Sequence, residues 1–317
     1  ELAADYRQAQ QALDELEAAL RRPVPEPPRC EADLAQLSAL PDRPTFLAAV
    51  RRAKEYILAG DIFQVVLSRR FCLPFAGDAF AFYRALRNVN PSPYMFFLDL
   101  GSFQLIGSSP EALITVQERR AEIVPIAGTR PRGADEAEDA RLAEELRADQ
   151  KEQAEHVMLV DLARNDLSRV CTPGSVQVED FQTVERYSHV MHLISRVHGQ
   201  LQPNRSAIDA LMAAFPAGTV SGAPKIRAME IIHELEPVKR GFYAGAVGYI
   251  DYSGNLDMCI TIRSVLARHG QLVFQAGAGI VADSVPEREF EECTNKARAL
   301  EQAVQLASEG IHDLVHR

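Results

Sequence analysis

Apolar residues recur at helical spacing near the start of the chain, where Leu13, Leu16, Ala19 and Leu20 share a face, and predict a helix over residues 4 to 21. Pro23-Val24-Pro25-Glu26-Pro27-Pro28 ends that pattern and predicts a linker. A second helical period runs from Thr45, the expected N-cap, to Ala59, with Gly60 as its stop. The period then changes. The continuous apolar run Ile62 to Leu67 predicts a buried strand. From there to Val124 the pattern predicts short β segments, one helix near Ala79 to Leu86, and turns at Asn90-Pro91-Ser92-Pro93 and Gly101-Ser102. Residues 134 to 168 carry a helical pattern, Ser175 to Val184 and Val190 to Val197 read as strands, and Ile208 to Ala214 and Ile226 to Leu235 as helices. Tyr243 to Tyr252, Asp257 to Ala267 and Leu272 to Ala276 are spaced as a β-meander turning at Ser253-Gly254-Asn255 and His269-Gly270. A last helix is expected after Ser284, whose hydroxyl would cap it with Glu287 completing a capping box.

Strands that follow strands through hairpin turns predict an α+β fold of largely antiparallel sheets with helices outside, not a doubly wound parallel sheet. No internal repeat is present. One main domain is expected over residues 31 to 317, with residues 1 to 30 as the remnant of an N-terminal domain and its proline-rich linker. The first residue is Glu1 rather than Met, and the expectation is a piece of something longer.

Composition narrows the function. With 317 residues, 47% hydrophobic and 25% charged, the chain has the make-up of an ordinary globular protein. A formal charge of -10 disfavours a nucleic-acid partner, which needs a surplus of Lys and Arg on one face. Cys30, Cys72, Cys171, Cys259 and Cys293 form no C-x-x-C pair, which excludes a zinc knuckle and fits reduced thiols in the cytoplasm. No apolar run approaches the roughly 18 residues of a membrane span.

Several segments carry possible chemistry. Glu152 and Glu155 lie three apart on one predicted helix, and Glu289 and Glu292 repeat the arrangement on the last. Two helices presenting paired carboxylates supply hard oxygen ligands of the kind Mg²⁺ prefers, although on spacing alone a solvated acidic face is the commoner meaning. Gly128-Thr129-Arg130-Pro131-Arg132-Gly133, Gly218 to Lys225 with Thr219 inside it, and Gly277-Ala278-Gly279 are glycine-rich stretches whose amides can approach an anion, or simple turns. The second fails the Walker pattern because Pro224 precedes Lys225 and no Ser or Thr follows it. The third, with Ala282, matches a loose G-x-G-x-x-A fingerprint but lacks the helix start and the remaining chain of a βαβ unit. His192 sits in a strand-like segment on the face opposite His189, where a lone histidine is more often a hydrogen-bonded core residue than a base. Arg263 ends an apolar strand and needs a carboxylate partner, from a ligand or from the protein.

Taken in order, these segments resemble the chorismate-utilising enzymes, most closely the anthranilate synthase large components, over about residues 43 to 305. The resemblance rests on Gly60-Asp61-Ile62-Phe63-Gln64-Val65-Val66-Leu67-Ser68, Ser109-Pro110-Glu111, Pro125-Ile126-Ala127-Gly128-Thr129-Arg130-Pro131-Arg132-Gly133 and Glu155-His156-Val157-Met158-Leu159-Val160-Asp161-Leu162-Ala163-Arg164-Asn165-Asp166. It implies two antiparallel sheets packed as a sandwich with helices outside. It also implies Mg²⁺ bound by Glu155 and Glu292, with Glu152 and Glu289 holding its waters, and chorismate held through its ring carboxylate by the ion. Tyr243 and Arg263 would hold the enolpyruvyl carboxylate, Gly277, Ala278 and Gly279 would line it, and Gly128, Thr129 and Thr219 would also border the substrate.

Family members that add water carry a lysine base where this chain has Gln64, and those making 4-amino-4-deoxychorismate carry a nucleophilic lysine where it has Ala127. Lacking both, the chain is suited to direct attack of ammonia on C2, with Glu111 as general acid for the C4 hydroxyl and His192 assisting loss of pyruvate to give anthranilate. The resemblance further implies ammonia from a glutamine amidotransferase subunit. Pro93, Tyr94 and Met95 belong to a motif like part of the family's tryptophan feedback site, whose other part is missing here. A synthase stopping at 2-amino-2-deoxyisochorismate, and a fragment that binds partners without catalysis, remain open.

Overall fold

The computed structural model describes residues 2–23, 29–187 and 190–309. In chain order the elements are α1 (Leu2–Leu20), β1 (Cys30–Ala32), β2 (Ser38–Leu40), α2 (Arg43–Leu58), β3 (Gln64–Gly77), α3 (Ala79–Val89), β4 (Tyr94–Asp99), β5 (Gln104–Ser109), β6 (Ala112–Gln117), β7 (Arg120–Ile123) and β8 (Ile126–Pro131). Then come α4 (Glu136–Ala148), α5 (Gln150–Ser168), β9 (Gln177–Arg186), β10 (Val190–Gln200), α6 (Ala207–Ala214), β11 (Gly222–Ala223), α7 (Lys225–Leu235), β12 (Ala246–Ile250), β13 (Leu256–Ile260), β14 (Ser264–Arg268), β15 (Gln271–Ile280) and α8 (Pro286–Glu309). Two 3₁₀ turns, Leu34–Gln36 and Gly218–Val220, complete the set.

The fold is α+β with two antiparallel sheets, as expected. The first runs β1-β3-β15-β14-β5-β4, with β2 and β11 also on β3, and the second runs β12-β13-β6-β7-β10-β8, with β9 on β10. Helix α1 has no buried residue, and the greater part of the proline-rich stretch, residues 24–28, lies outside the described residues. Cys30, grouped with the N-terminal remnant in the sequence, opens β1, pairs with Gly77 and is 2% exposed.

Local chemistry corrects three expectations. Asp42, not Thr45, caps α2, its carboxylate accepting from the Thr45 amide at 3.1 Å, with Pro44 in the first turn. The hydroxyl of Ser284 accepts from the Val281 amide at 3.1 Å, so the expected capping box is not formed and α8 starts at Pro286. The stretch Asp257 to Ala267 is two strands in different sheets, because Arg263 takes a φ of 49° and turns the chain between β13 and β14. The helical stretch 134 to 168 is likewise two helices. Asp149 ends α4 and caps α5, accepting from the amides of Lys151 and Glu152 at 3.0 and 3.2 Å.

Strand β3 outruns the apolar segment that predicts it, since Ser68-Arg69-Arg70 continue the pairing with β15. Arg69 is tolerated there because its guanidinium lies 4.0 Å from the Phe290 ring centroid and donates to Pro41 O at 3.2 Å.

Apolar clusters hold helices to the outer faces. Helices α3 and α8 pack on the first sheet through Phe82, Leu300 and the stacked pair Phe71–Phe274. Helices α2 and α7 cover its other end through Phe46, Val65, Ile231 and Ile280. Helices α5 and α6 cover the second sheet through Leu167, Ala210, Ile114 and Val197. Each buried Phe, Leu, Ile or Val among these stabilises the fold by about 1.5–3 kcal/mol. Among the described residues no helix is long and apolar enough to cross a membrane.

Candidate active site

The two sheets face each other across a cavity of about 870 Å³. Its lining takes Val66, Gln275, Gly277 and Gly279 from β3 and β15, and Ala127, Gly128, Thr129 and His192 from β8 and β10. Pro93, Glu111, Glu155, Thr219, Tyr243, Arg263 and Lys296 close it. Most candidate residues singled out in the sequence therefore meet in one place.

Alternation along β15 decides which of the glycine-rich segment reaches the cavity. Gly277 and Gly279 line it, whereas Ala278, between them, is 0% exposed and packs with Val65, Leu67 and Cys293 in the core. The expectation that all three line the ligand is corrected at Ala278. Glycine is required by close approach: a Cβ on Gly277 would lie 2.7 Å from Tyr243 Oη, and one on Gly279 2.6 Å from Gln64 Nε2. Gly128 has a φ of 68°, and its missing side chain would meet Leu146 at 2.7 Å.

Glu111 sits between β5 and β6, where its Oε1 accepts from the Thr219 hydroxyl at 2.8 Å. Burial pushes its carboxyl up to about 7, against the opposing pull of that hydrogen bond and of the Lys296 and Arg263 charges. Burial pulls the Arg263 guanidinium down, while Tyr243, Glu111 and Glu292 act the other way. Among the described residues no carboxylate lies within 4.0 Å of Arg263, which lines the cavity with Tyr243, Glu111 and Glu292 acting on its charge from farther off. Burial likewise pushes the Tyr243 hydroxyl up, keeping it a neutral donor.

His192 lies beside a bulge in the β10–β8 pairing, and its Nδ1 is 3.0 Å from both Gly128 O and Thr129 Oγ1. A carbonyl only accepts, so Nδ1 carries a proton toward Gly128 O, and Nε2 is the ring nitrogen left to face the cavity. His189, its neighbour in the sequence argument, lies outside the described residues.

The four glutamates are unequally exposed, the Glu292 side chain at 44% and the Glu152 side chain at 23%. Glu289 is 9% exposed, and Glu155 is pushed up first by burial and then by the charges of Glu152 and Glu292. Glu289 is pushed up by burial and by Glu292. Lys296 Nζ lies 2.6 Å from Glu292, Arg130 lies 3.6 Å from Glu152, and Gln64 Nε2 donates to Glu155 at 3.3 Å. Among the described residues no three carboxylates, histidines or cysteines are grouped closely enough to hold a metal ion without further ligands. The donor set nonetheless fits a hard divalent cation that keeps several waters, because mutually repelling carboxylates gain most from one.

Lys296 was missed in the sequence, although it follows Glu292 by one helical turn; its Nζ also donates to Gly277 O at 2.9 Å. Gln275 was missed as well, since it lies outside the glycine-rich segment it precedes. Pro93 reaches the cavity, while the Tyr94 hydroxyl donates to Asp257 at 2.9 Å. Lys225 pairs with Asp166 at 2.7 Å rather than facing a phosphate cradle, and Gly277-Ala278-Gly279 lies inside a strand rather than at a helix start.

Residues 1–302 match the family model for chorismate binding enzymes. The chain belongs to the chorismate binding enzyme family. This chorismate binding enzyme is 54% identical over 310 residues to an anthranilate synthase component 1 from Bacillus caldotenax, an alignment covering 95% of the chain and 61% of that relative. It is 56% identical over 308 residues to the component 1 from Thermus thermophilus, covering 97% of the chain and 67% of the relative. The crystal structure of anthranilate synthase component I from Streptococcus pneumoniae superposes with a TM-score of 0.84 at 44% identity, over 92% of this chain and 65% of that one. The chain thus spans about two thirds of the length of these relatives.

Proposed function

We propose that this chain carries out the anthranilate synthase reaction in the first step of tryptophan biosynthesis: amination of chorismate at C2 by ammonia, followed by elimination of pyruvate. One observation carries this: Glu111, whose carboxyl burial pushes up to about 7, and His192, whose Nδ1 is engaged by Gly128 O, line the same cavity as Arg263, with no lysine at positions 64 or 127.

Arg263 and the Tyr243 hydroxyl bind the enolpyruvyl carboxylate, and Lys296 adds a second cation near it. Gly277 and Gly279 let the substrate approach the backbone of β15. Glu111 gives its proton to the C4 oxygen, which leaves as water while ammonia bonds to C2 and then loses a proton. His192 Nε2 accepts the C2 proton as the C3–O bond breaks and the ring becomes aromatic, and the side chain departs as enolpyruvate, which takes a proton on its methylene carbon to give pyruvate. Glu155 and Glu292 would hold Mg²⁺ directly, with Glu152 and Glu289 behind; when bound, the ion neutralises and orients the ring carboxylate. A glutamine amidotransferase subunit supplies the ammonia, and the proposed setting is the cytoplasm, where the free cysteines stay reduced. For tryptophan binding at Pro93, Tyr94 and Met95 the chain offers one half of a site.

The test is incubation of the chain with chorismate, an ammonium salt and Mg²⁺, following anthranilate fluorescence and pyruvate together. Equal yields of both, abolished by EDTA and restored by Mg²⁺, are expected. Amination without pyruvate would identify a synthase that stops at 2-amino-2-deoxyisochorismate, and no turnover would overturn the proposal.

A further inference from the structure

Behind Glu111 the molecule holds a second, water-sized space of about 40 Å³, which shares Glu111, Leu159 and Thr219 with the main cavity. At another border it reaches Asp166, and Asp166 with Leu162 also lines an open groove of about 1120 Å³ on the far side of α5. Leu113, Ala163, Ala214 and Ile260 make the walls between largely apolar. Two carboxyls, one at the main cavity and one at the outer groove, are thus the ionisable groups on this space among the described residues.

Both carboxyls have an oxygen to spare. Glu111 uses Oε1 for Thr219, and Asp166 uses Oδ2 for Lys225 Nζ at 2.7 Å, while Oε2 and Oδ1 make no hydrogen bond among the described residues. A space of this size exceeds the roughly 10–15 Å³ that one water needs, and a carboxyl oxygen at each of its two borders is available to bind water there. Lys225 is anchored a second time, on Ala214 O at 2.8 Å, so Asp166 is held at the border.

We propose that Asp166, as a positioning residue acting through Glu111, and the water between them form the path by which Glu111 regains its proton after each turnover. This rests on the general-acid role of Glu111 proposed above. Once Glu111 has given its proton to the departing oxygen, the ligand covers its cavity side. The intervening water then passes a proton to Glu111 as it takes one from the Asp166 carboxyl, and Asp166 takes its replacement from water in the groove. One O–H bond breaks and one forms at each transfer, with no change in oxidation state. Burial pushes both carboxyls up, Glu111 to about 7 and Asp166 to about 6, so near neutrality only a minor share of Asp166 holds its proton, and transfer from Asp166, the stronger acid, to a bare Glu111 runs downhill. The groups acting on them are Thr219, Lys296 and Arg263 at Glu111, and Lys225 and Arg169 at Asp166.

Two variants and one structure test the path. Asp166→Asn paired with Lys225→Met removes the relay without stranding a charge, and Ala163→Leu fills the space while leaving Asp166 in place. Both should lower kcat about tenfold above neutral pH. Both should also raise the solvent deuterium isotope effect and leave the KM for chorismate within about twofold. Unchanged kcat in both, or a loss equal at all pH values without a larger isotope effect, overturns the path. A crystal structure of the chain should show ordered water touching both carboxyls, and a dry space overturns the path whether or not the enzyme turns over. A chain that does not turn over chorismate sinks the reaction assignment and the path with it, whereas a parent that turns over while kcat is unchanged in both variants sinks the path alone.

Discussion

The Thr219 hydroxyl donates to Glu111 Oε1 over 2.8 Å and ties the turn before α7 to the segment joining β5 and β6. That bond opposes the burial which pushes the Glu111 carboxyl up to about 7. Thr219 therefore sets the pH at which the acid is ready, besides bordering the ligand.

Thr219→Val removes a hydrogen bond to the charged form, a contact worth about 1.5–3 kcal/mol when one partner is ionised. The Glu111 carboxyl then holds its proton to higher pH, so the alkaline limb of the kcat profile moves upward in pH. Thr219→Ser keeps the donor and should leave the limb where it is. A limb that does not move in the valine variant contradicts Glu111 as the acid that the profile reports.

Glu111→Gln separates stability from activity. With a folded value of about 7 against an ordinary 4.5, the folded state binds the proton more tightly than the unfolded chain. That contribution is fully present below the ordinary value and is lost as pH rises through about 7, a change of roughly 3 kcal/mol. Glutamine does not titrate, so the Tm of the variant relative to the parent should rise between pH 4.5 and pH 8 while turnover falls about 100-fold or more. Calorimetry at the two pH values checks the sign.

The sheets, the helices and most of the cavity were legible in the chain because hydrophobic period and long ordered motifs point the same way at Glu111, Gly128, His192 and Glu155. The misses have local causes. Asp42 and Thr45 are both good capping residues, and only backbone geometry tells which carboxylate or hydroxyl meets the free amides. Arg263 takes a positive φ rare for its type, so an apolar run that reads as one strand is divided between two sheets. Lys296 looked like an ordinary basic residue on a charged helix until α8 brought it to Gly277 O. Ala278 sits in a segment whose neighbours line the cavity, yet strand alternation turns its methyl to the core.

Gly277→Ala and Ala278→Gly should therefore behave oppositely. A methyl at Gly277 meets Tyr243 Oη at 2.7 Å and Leu67 O at 3.1 Å, displacing the tyrosine from the carboxylate it is proposed to hold. The KM for chorismate should rise about tenfold or more, with a stability loss of about 1–3 kcal/mol. Ala278→Gly removes a core methyl and adds backbone freedom, lowering stability by about 1–2 kcal/mol with little change in KM. Paired kinetics and thermal melts distinguish the two.

Glu155→Gln tests the metal site by a property that does not need turnover. Glu155 is pushed up by burial, by Glu152 and by Glu292, so its charge destabilises the metal-free fold and glutamine relieves that repulsion. In EDTA the variant should melt at a higher temperature than the parent at neutral pH. In Mg²⁺ the order should reverse, because a ligand at 100 times its dissociation constant stabilises the parent by about 2.7 kcal/mol. The variant, which loses one of two direct carboxylate ligands, gains little. If Mg²⁺ raises the Tm of both proteins equally, the ion binds elsewhere and Glu155 is not its ligand.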